Sequence, residues 1–480
     1  MTAAIPRSRG TSYWLREALA ADPGEPCPPL DQEVTADVVI LGGGYTGLWT
    51  AWFLTERAPG IDVVVLERDV CGAGASGRNG GFVGSWWDEA DGWVKRYGPE
   101  AALAACRASE ASIDAIGEWC TGAGVDAWYR PVRYLEVSSA PAQDGSWTAA
   151  VEACRQLGAP DAYRELSPQE VQEVCGSPTF RGGAEMRGAT VQPARLARGL
   201  RRALLERGVR IHEGSPATRF RLGDPSVVDT SRGRVRAGRV VIGTNAWAAR
   251  WPGLRRTMVV RGSYIVLTGP APERLEELGW TGGECICDLR TSLHYFRTTP
   301  DGRVAFGGVG RARGTRIGPD YDHDDVSLRW VAEGFRRLFP SLRDVPIAEG
   351  WGGAVDVSAT RHPWFGTLAP GSVHYGVGYS GHGVGQSHLG GRVLSALALD
   401  ADDPVRSLPM VEGDPKRFPP RFISGPGTFV VQQAILRKDR LEDQVRRPGW
   451  LTRFLAGLPR RLGYSLGPRP TGKGGSPWAR

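Results

Sequence analysis

The pattern of hydrophobic positions changes twice within one short segment near the N-terminus. Residues 36–41 (ADVVIL) form an apolar run rich in β-branched side chains, residues 42–47 (GGGYTG) are mostly glycine, and residues 48–57 carry apolar side chains at helical spacing. Residues 61–67 (IDVVVLE) form a second apolar run. The segment therefore predicts a βαβ unit whose two strands are parallel and buried.

The turn of this unit contains a dinucleotide-binding pattern. Gly42, Gly44 and Gly47 follow the spacing G-x-G-x-x-G, and Glu67 lies twenty residues after the last glycine. Such glycines permit a tight turn, close approach of a pyrophosphate and close helix packing, while the acid accepts hydrogen bonds from a ribose. The pattern favours a dinucleotide site over its alternative, a glycine-rich turn without a ligand.

A second glycine-rich segment, residues 71–83 (CGAGASGRNGGFV), follows the second strand. Small residues let a backbone lie against a flat polar ligand and offer its amides as donors. A domain that binds only a nicotinamide cofactor has no obvious use for this segment. The alternative interpretation is a flexible surface loop.

Later segments extend this organisation. Residues 188–220 predict a helix followed by a third parallel strand, whereas residues 128–138, 258–267 and 293–306 predict strands and hairpins, the last with a Pro-Asp-Gly turn. The chain thus combines a parallel α/β part with a mainly antiparallel part.

Composition agrees with a multidomain globular protein. The 480 residues are 41% hydrophobic and 23% charged, which is near the globular average and too long for one core. The net charge is +7, and residues 424–480 hold eleven Lys/Arg against three Asp/Glu. Because the rest of the chain is nearly neutral, the composition does not favour a nucleic-acid partner.

The cysteines and the N-terminus add two expectations. The eight cysteines include no C-x-x-C pair and no zinc-site spacing, so we expect reduced, mostly buried thiols and no metal. The first twenty residues lack the apolar stretch of a secretory signal. These features favour a cytoplasmic location.

The motifs resemble those of the FAD-dependent oxidoreductases of the D-amino acid oxidase type, which act on amines and amino acids, and most of all the gamma-glutamylputrescine oxidoreductase branch. The resemblance covers residues 12–399 and rests on SYWL at 12–15, residues 37–54, residues 73–82 and GYSGHGVGQSHLGGRVLSALAL at 378–399. Its motifs are specific for fold and cofactor and less specific for substrate.

The resemblance implies an α/β fold with a Rossmann-type FAD domain built from separated segments and a mainly antiparallel substrate domain. The expected ranges are 1–34 for an N-terminal arm, 35–95, 185–250 and 353–405 for the FAD domain, 96–184 and 251–352 for the substrate domain, and 406–480 for a basic tail.

FAD is the predicted cofactor, bound without a covalent link. A buried thiol is the preferred interpretation of Cys71 over a flavin attachment site. The predicted FAD-binding residues are Gly42, Gly44, Tyr45, Thr46, Gly47, Glu67, Arg68, Ala75, Ser76, Arg78, Asn79, Gly80, Gly81, Phe82, Ala217, Gly381, His382, Gly383, Val384 and Gly385.

The resemblance also implies the chemistry. In the family, a hydride passes from the carbon beside a neutral amine to the flavin, and water hydrolyses the resulting imine. Residues 379–385 precede a helical pattern that runs to Leu399, which would place helix N-terminal amides near the anionic end of the reduced flavin. His382 is the candidate catalytic residue, with a structural donor as the alternative.

The substrate class is predicted from two missing arginines. Val355 and Gly381 stand at the positions where amino acid oxidases of the family hold the substrate carboxylate with an arginine. An amine, with or without a remote carboxylate, therefore fits better than a small α-amino acid. The alternative is that another arginine holds the substrate carboxylate: Arg133, Arg261, Arg297 or Arg361.

The candidate substrate contacts are Trp86, Tyr264, Tyr295 and Trp351, each with core packing as its alternative.

The leading functional hypothesis is oxidation of a primary or secondary amine to an imine, with oxygen or an electron carrier as acceptor. The alternatives are an amino-acid or N-methyl-amine dehydrogenase and a flavin-binding structural or partner protein.

For the amphipathic residues 450–458 in the basic tail, we favour packing on the protein itself over contact with an anionic membrane.

Overall fold

The structure is a computed structural model that describes residues 10–314, 316–369 and 372–465. Its helices are α1 (Tyr13–Ala21), α2 (Tyr45–Arg57), α3 (Ala90–Tyr97), α4 (Pro99–Gly122), α5 (Thr148–Gln156), α6 (Pro168–Cys175), α7 (Pro193–Glu206), α8 (Pro272–Glu277), α9 (Pro319–Asp322), α10 (Asp325–Leu338), α11 (Gly383–Ala398), α12 (Arg421–Asp443) and α13 (Trp450–Arg461).

The described strands form two sheets. The first has the order β16-β17-β10-β1-β2-β7 and also includes β8 and β9. Its pairs from β17 to β7 are parallel, whereas β16, β9 and β8 are joined by antiparallel pairing. Its members are β1 (Glu33–Leu41), β2 (Val63–Leu66), β7 (Arg210–His212), β8 (Arg219–Arg221), β9 (Ser226–Asp229), β10 (Arg234–Ile242), β16 (Trp364–Ala369) and β17 (Val373–Val377).

The second sheet is mainly antiparallel, with the order β15-β11-β14-β13-β12-β4-β6-β3 and β5 beside β6. Only β12 and β4 pair in parallel in the described part of this sheet. Its members are β3 (Phe82–Val83), β4 (Arg130–Val137), β5 (Arg164–Leu166), β6 (Gly183–Thr190), β11 (Met258–Thr268), β12 (Cys285–Asp288), β13 (His294–Thr298), β14 (Val304–Arg313) and β15 (Ile347–Ser358).

Burial on both faces explains the continuous apolar run of β1. Val38 and Ile40 pack into the same hydrophobic cluster as the residues of α2, while Val39 and Leu41 join the cluster on the opposite face. β1 pairs in parallel with β2 and β10, and β7 adds a further parallel strand beside β2. The predicted parallel unit is confirmed.

The helix after the glycine turn starts three residues earlier than predicted. The sequence pattern placed its start at Leu48, but α2 begins at Tyr45, with Gly44 as its N-cap. Tyr45, Thr46 and Gly47 form the first turn because Gly47 has no Cβ, and an added Cβ would lie 2.0 Å from the carbonyl oxygen of Gly42.

The chain crosses between the two sheets several times. The predicted boundaries at residues 185 and 353 fall inside β6 and β15, which belong to the antiparallel sheet. The domain limits stay a prediction at this level of detail.

The arm and the tail both pack on the two-sheet body. In α1, Trp14 is fully buried, and its indole nitrogen donates to the carbonyl of Asn79. In α12, Gln432 donates to the carbonyl of Gly310, and Asp439 accepts from the amide of Ser292. The eight cysteines are buried and free, as expected.

Candidate active site

A cavity of about 560 Å³ lies where the two sheets meet. Leu41 and Leu66, the last residues of β1 and β2, line one part of it. Tyr134, Ser263 and Tyr295 line another part from strands of the antiparallel sheet. Because ligands of open α/β sheets bind outside the carboxyl ends of the strands, this cavity is the candidate active site.

The glycine turn forms a close backbone surface at the first part of the cavity. Gly42 has φ +104°, a conformation that L side chains rarely adopt, and an added Cβ would lie 2.8 Å from the carbonyl oxygen of Gly243. At Gly44 an added Cβ would lie 2.9 Å from Ser76 Oγ. That hydroxyl accepts a hydrogen bond from the amide of Tyr45. Side chains are thus excluded where a pyrophosphate would meet the α2 N-terminus.

Glu67 lies at the edge of the same surface. Its carboxylate accepts hydrogen bonds from the amides of Gly43 (2.7 Å) and Asp69 (2.9 Å). Burial away from water raises the pKa of Glu67. Nearby, the Arg68 guanidinium lies 4.7 Å from the Trp247 ring centroid. The carboxylate and this stacked pair form the polar and flat walls that an adenosine requires.

Internal hydrogen bonds hold the second glycine-rich segment in place. The Asn79 side chain donates to the carbonyls of Ala75 and Ser76 and accepts from the amide of Gly81. The Arg78 guanidinium donates to the carbonyl of Gly352 in β15. These contacts fix the conformation of the segment and tie it to the antiparallel sheet.

The start of α11 closes another part of the cavity. His382 is the N-cap residue of α11, and Gly381 before it has φ +97°. Asp356 fixes this turn, because its carboxylate accepts from the amide of Gly378 and its carbonyl accepts from the amide of Ser380. The structure thus places the predicted helix N-terminus at the wall of the cavity.

The imidazole of His382 is neutral at physiological pH in this position. Burial and the nearby positive charge of Arg361 lower the pKa of His382 to about 4. His382 therefore carries no positive charge at neutral pH. A neutral imidazole contributes as a hydrogen-bonding group or as packing.

The predicted cofactor residues fall into two groups. Seventeen of the twenty line the cavity, whereas Gly47, Gly81 and Gly385 are not among its lining residues. The residues that line it are Gly42, Gly44, Tyr45, Thr46, Glu67, Arg68, Ala75, Ser76, Arg78, Asn79, Gly80, Phe82, Ala217, Gly381, His382, Gly383 and Val384.

Of the predicted substrate aromatics, Tyr295 alone lines the cavity in the described part of the chain. Its hydroxyl shares a hydrogen bond of 2.9 Å with Ser263, and its ring meets Phe82 edge to face. The other three occupy core positions, and the prediction that they contact substrate is not supported by their placement. Trp86 is buried against Trp93, the Tyr264 hydroxyl donates to the carbonyl of Asp320, and the Trp351 indole donates to the carbonyl of Arg78.

Two of the four alternative arginine clamps lie at the cavity. Arg261 and Arg361 line the cavity. Val355 and Gly381, the two positions where an arginine is missing, line it as well. The other two arginines, Arg297 and Arg133, form hydrogen bonds or ion pairs elsewhere. Arg297 donates to the carbonyls of Gly80 and Val191, and Arg133 pairs with Glu185 at the surface.

Arg361 stands among carboxyl groups. Its Nε lies 3.2 Å from Glu89 Oε1, and His362 Nε2 lies 3.1 Å from Glu89 Oε2. Burial would raise the pKa of Glu89, but Arg361 and His362 outweigh it and hold this pKa below its usual range. Burial raises the pKa of Glu136 to about 7. The group therefore holds a positive charge beside a carboxyl that titrates near neutrality.

The sequence patterns missed several residues of the cavity. Asp356 and Asn245 are joined by a hydrogen bond of 2.9 Å and both line it. Ile435 and Ser465 come from the predicted tail and also line it. Asp356 lies close to the clamp position Val355, which is a signal that sequence reasoning had available. The tail residues carry no such signal.

Two buried atoms test whether a polar ligand fits here. Thr244 Oγ1 and Asn245 Oδ1 are buried without a hydrogen-bond partner in the described structure, and both residues line the cavity next to the glycine turn. Buried polar atoms are nearly always paired. A polar ligand such as FAD would supply the missing partners, so these residues fit the cofactor.

The family profile described as FAD dependent oxidoreductase (DAO) matches residues 37–397. The chain belongs to this family. Members of the DAO family are FAD-dependent flavoproteins, so the protein is an oxidoreductase of the type that acts on amines or amino acids. Non-covalent binding of FAD is typical of the family.

Curated DAO-family relatives cover most of the chain. Gamma-glutamylputrescine oxidoreductase of Escherichia coli K12 is 32% identical over 397 residues, which are 81% of this chain and 88% of that protein. The probable oxidoreductase OrdL of Rhizobium meliloti is 31% identical over 413 residues, which are 83% of this chain and 90% of that protein.

Solved structures support the DAO fold. Glycine oxidase from Geobacillus kaustophilus gives a TM-score of 0.64 at 19% identity and covers 77% of this chain and 96% of its own. L-proline dehydrogenase from P. horikoshii gives 0.63 at 21% identity and covers 83% and 99%. The predicted Rossmann-type FAD domain with an antiparallel second sheet is confirmed.

In the described residues 10–314, 316–369 and 372–465, two other kinds of feature are absent. No group of three His, Cys, Asp or Glu side chains in those ranges is arranged to hold a metal ion. Over the same ranges, each helix is too short or too polar to cross a bilayer.

Proposed function

We propose that the protein oxidises a primary or secondary amine to an imine, which water then hydrolyses. The observation that carries this proposal is the pair Val355 and Gly381, which line the cavity without offering a carboxylate clamp. A small α-amino acid would lose its usual bidentate anchor there. The name of the Escherichia coli relative, which refers to an amine with a glutamyl group, supports the same substrate class.

When bound, FAD supplies the acceptor for the hydride that leaves the amine-bearing carbon. In this proposal the glycine turn, the α2 N-terminus and Glu67 hold its adenine dinucleotide part. The N-terminus of α11 provides amides and a favourable potential for negative charge in the cavity. Asp356 positions that N-terminus through Gly378 and Ser380.

The aromatic wall suits an uncharged amine. Phe82 packs edge to face on both Tyr134 and Tyr295, and all three residues line the cavity. Apolar surroundings lower the pKa of an amine by desolvation, so this wall favours the neutral form that can give up a hydride. The Ser263–Tyr295 hydrogen bond holds the Tyr295 ring in place.

Arg361 is the proposed partner of a distal carboxylate on the substrate. It lines the cavity, its side chain is mostly buried, and its Nε has no hydrogen-bond partner in the described structure although Glu89 lies close. A charge-assisted bond to a carboxylate is about twice as strong as a neutral one. The proposal therefore extends to amines that carry a remote carboxylate.

A second candidate function is oxidation of an amino acid, or of an N-methyl amine, with electrons passed to a carrier. The presence of Arg261 and Arg361 at the cavity favours it, because either guanidinium is chemically able to hold an α-carboxylate.

Anaerobic titration of the purified holoprotein tests both functions. Amines with and without a distal carboxylate and a panel of amino acids are added while the visible flavin spectrum is followed. Bleaching by amines but not by simple amino acids supports the proposal, and bleaching by amino acids alone overturns it. Admission of air then distinguishes oxygen from a carrier as acceptor. A flavin that no compound reduces would favour a structural cofactor.

A further inference from the structure

Helix α13 exposes three large apolar side chains to solvent. Trp450 is 73% exposed, Leu451 52% and Phe454 40%, and none of the twelve residues of the helix is buried. The expectation that this amphipathic segment packs on the protein holds only in part, because α13 contacts α12 but leaves these three side chains exposed. Residues three and four positions apart lie on the same helix face. Phe454 is four residues after Trp450 and three after Leu451, so the three side chains form one patch, which we call the α13 patch.

Basic side chains surround the α13 patch. Arg446, Arg447, Arg453 and Arg461 are exposed, and residues 444–465 include no aspartate or glutamate. The Arg461 guanidinium lies 4.8 Å from the Phe454 ring centroid, at the C-terminal end of the patch. The surface thus combines large apolar side chains with positive charge, and residues 444–465 add no negative charge to it.

This combination matches an anionic lipid surface. Tryptophan, leucine and phenylalanine enter the boundary between headgroups and acyl chains, and arginines beside them pair with lipid phosphates. A helix of twelve residues is about 18 Å long, which is too short to span the hydrocarbon core of about 30 Å. The helix is suited to lie in the plane of the membrane.

A second copy of the chain is a poorer occupant of the patch. A symmetric contact would bring the same arginines of two protomers together, and like charges across an interface are unfavourable.

We propose that α13 docks the protein on membranes that contain anionic phospholipids. Trp450, Leu451 and Phe454 enter the interface, while Arg453 and Arg461 contact lipid phosphates. The same C-terminal segment contributes Ser465 to the cavity wall, and the amide of Ser465 donates to the carbonyl of Ala359. Docking would therefore occur through the segment that borders the candidate active site.

Co-sedimentation with vesicles tests this proposal on the full-length holoprotein. Two vesicle types are compared, phosphatidylcholine alone and phosphatidylcholine with about one third phosphatidylglycerol, a mixture whose surface is anionic. Sedimenting protein is measured by its flavin absorbance. We expect binding to the anionic vesicles at least about tenfold stronger than to the neutral ones, and weaker binding at higher salt.

Three variants separate the contributions. The triple variant Trp450→Ser, Leu451→Ser, Phe454→Ser is expected to lose at least about tenfold in vesicle binding, because it removes the inserted apolar area. The double variant Arg453→Gln, Arg461→Gln is expected to lose the preference for anionic lipid. Leu222→Ser is the matched control, since Leu222 is 59% exposed elsewhere on the surface, and it is expected to bind like the unmodified protein.

Two results would overturn the proposal. One is absence of binding to anionic vesicles at low salt. If the protein is then a dimer and the triple variant is a monomer, the patch is covered by a second copy of the chain instead. The other is binding that the triple variant leaves unchanged, because the attraction would then come from unspecific charge. The flavin spectrum of each variant shows whether it has folded.

Discussion

The hydroxyl of Thr46 donates a hydrogen bond of 2.8 Å to the hydroxyl of Tyr379, although 333 residues separate them in the chain. Thr46 lies in the first turn of α2, where the proposed pyrophosphate site begins, and Tyr379 lies at the turn before α11. Both residues line the cavity. The bond thus joins the N-termini of the two helices that border the proposed cofactor.

Tyr379→Phe is expected to weaken FAD binding by about fivefold, because loss of a buried neutral hydrogen bond costs about 1 kcal/mol. The measurement is titration of the apoprotein with FAD by fluorescence. Tyr13→Phe is the control, since the Tyr13 hydroxyl lies 3.5 Å from Asp301 in an exposed position. Equal affinity of Tyr379→Phe and the unmodified protein would show that the bond does not support the site.

Gly47→Ala is expected to lose at least about fivefold in bound FAD, because overpacking of a tight contact costs about 1–3 kcal/mol. The added Cβ would meet the carbonyl oxygen of Gly42 at 2.0 Å, so the glycine turn must open. Gly122→Ala, in α4, is the control because no atom lies within 4 Å of its added Cβ. Flavin content per protein measures the effect, and a fully yellow Gly47→Ala protein would contradict it.

His382→Gln is expected to leave the shape of the pH–rate profile unchanged between about pH 6 and pH 9. Burial and Arg361 lower the pKa of His382 to about 4, so the imidazole is already neutral throughout this range. Steady-state kcat/KM is measured across it for both proteins. If kcat/KM of the unmodified protein changes with a pKa near neutrality and this change disappears in the variant, His382 has a charged role.

The Asp356→Asn variant is expected to lose less free energy of unfolding than the unmodified protein when the pH rises from acidic to neutral values. Burial raises the pKa of Asp356 from 3.8 to about 7, although hydrogen bonds from Gly378, Tyr379 and Asn245 oppose the shift. The folded state therefore binds the proton more tightly, and stability falls as pH rises from about 4 to about 7.

Between pH 5 and pH 7, deprotonation of Asp356 is expected to lower the free energy of unfolding by about 2–3 kcal/mol. The Tm of the holoprotein is measured at both pH values. From pH 5 to pH 7, the Tm of the unmodified protein is expected to fall further than the Tm of Asp356→Asn. The control Asp402→Asn, at an exposed position, is expected to show the same fall as the unmodified protein. A parallel pH dependence in all three would contradict the raised pKa.

Arg361→Gln is expected to raise KM for an amine with a distal carboxylate by about tenfold to a hundredfold, because a hydrogen bond to a charged group contributes about 1.5–3 kcal/mol. KM for a simple alkylamine should change little. Arg133→Gln is the control at the surface, where Arg133 pairs with Glu185. Equal effects of Arg361→Gln on both substrates would remove Arg361 from substrate recognition.

Local patterns were enough for the cofactor half of the site. The apolar runs of β1 and β2, the glycine spacing and Glu67 are all close in sequence, so their arrangement follows from strand and helix periodicity. The helix start was misplaced because Gly47 interrupts the apolar pattern, although it lies inside α2.

The substrate half depended on contacts that periodicity does not report. Trp86, Tyr264 and Trp351 are aromatic like Tyr295, yet the packing of the two sheets places Tyr295 alone of these four at the cavity. Arg261 and Arg361 reach the cavity while Arg133 and Arg297 do not, and local sequence gave no basis to rank the four.

The sequence by itself determined the parallel βαβ unit, the dinucleotide turn and the missing clamps at Val355 and Gly381, because each is a property of neighbouring residues. The tertiary structure alone decided the Thr46–Tyr379 bond, the group around Arg361 and the exposed side of α13. The physical reason is that side-chain burial and long-range pairing depend on how distant segments pack, and an amphipathic pattern fixes an apolar face without fixing what covers it.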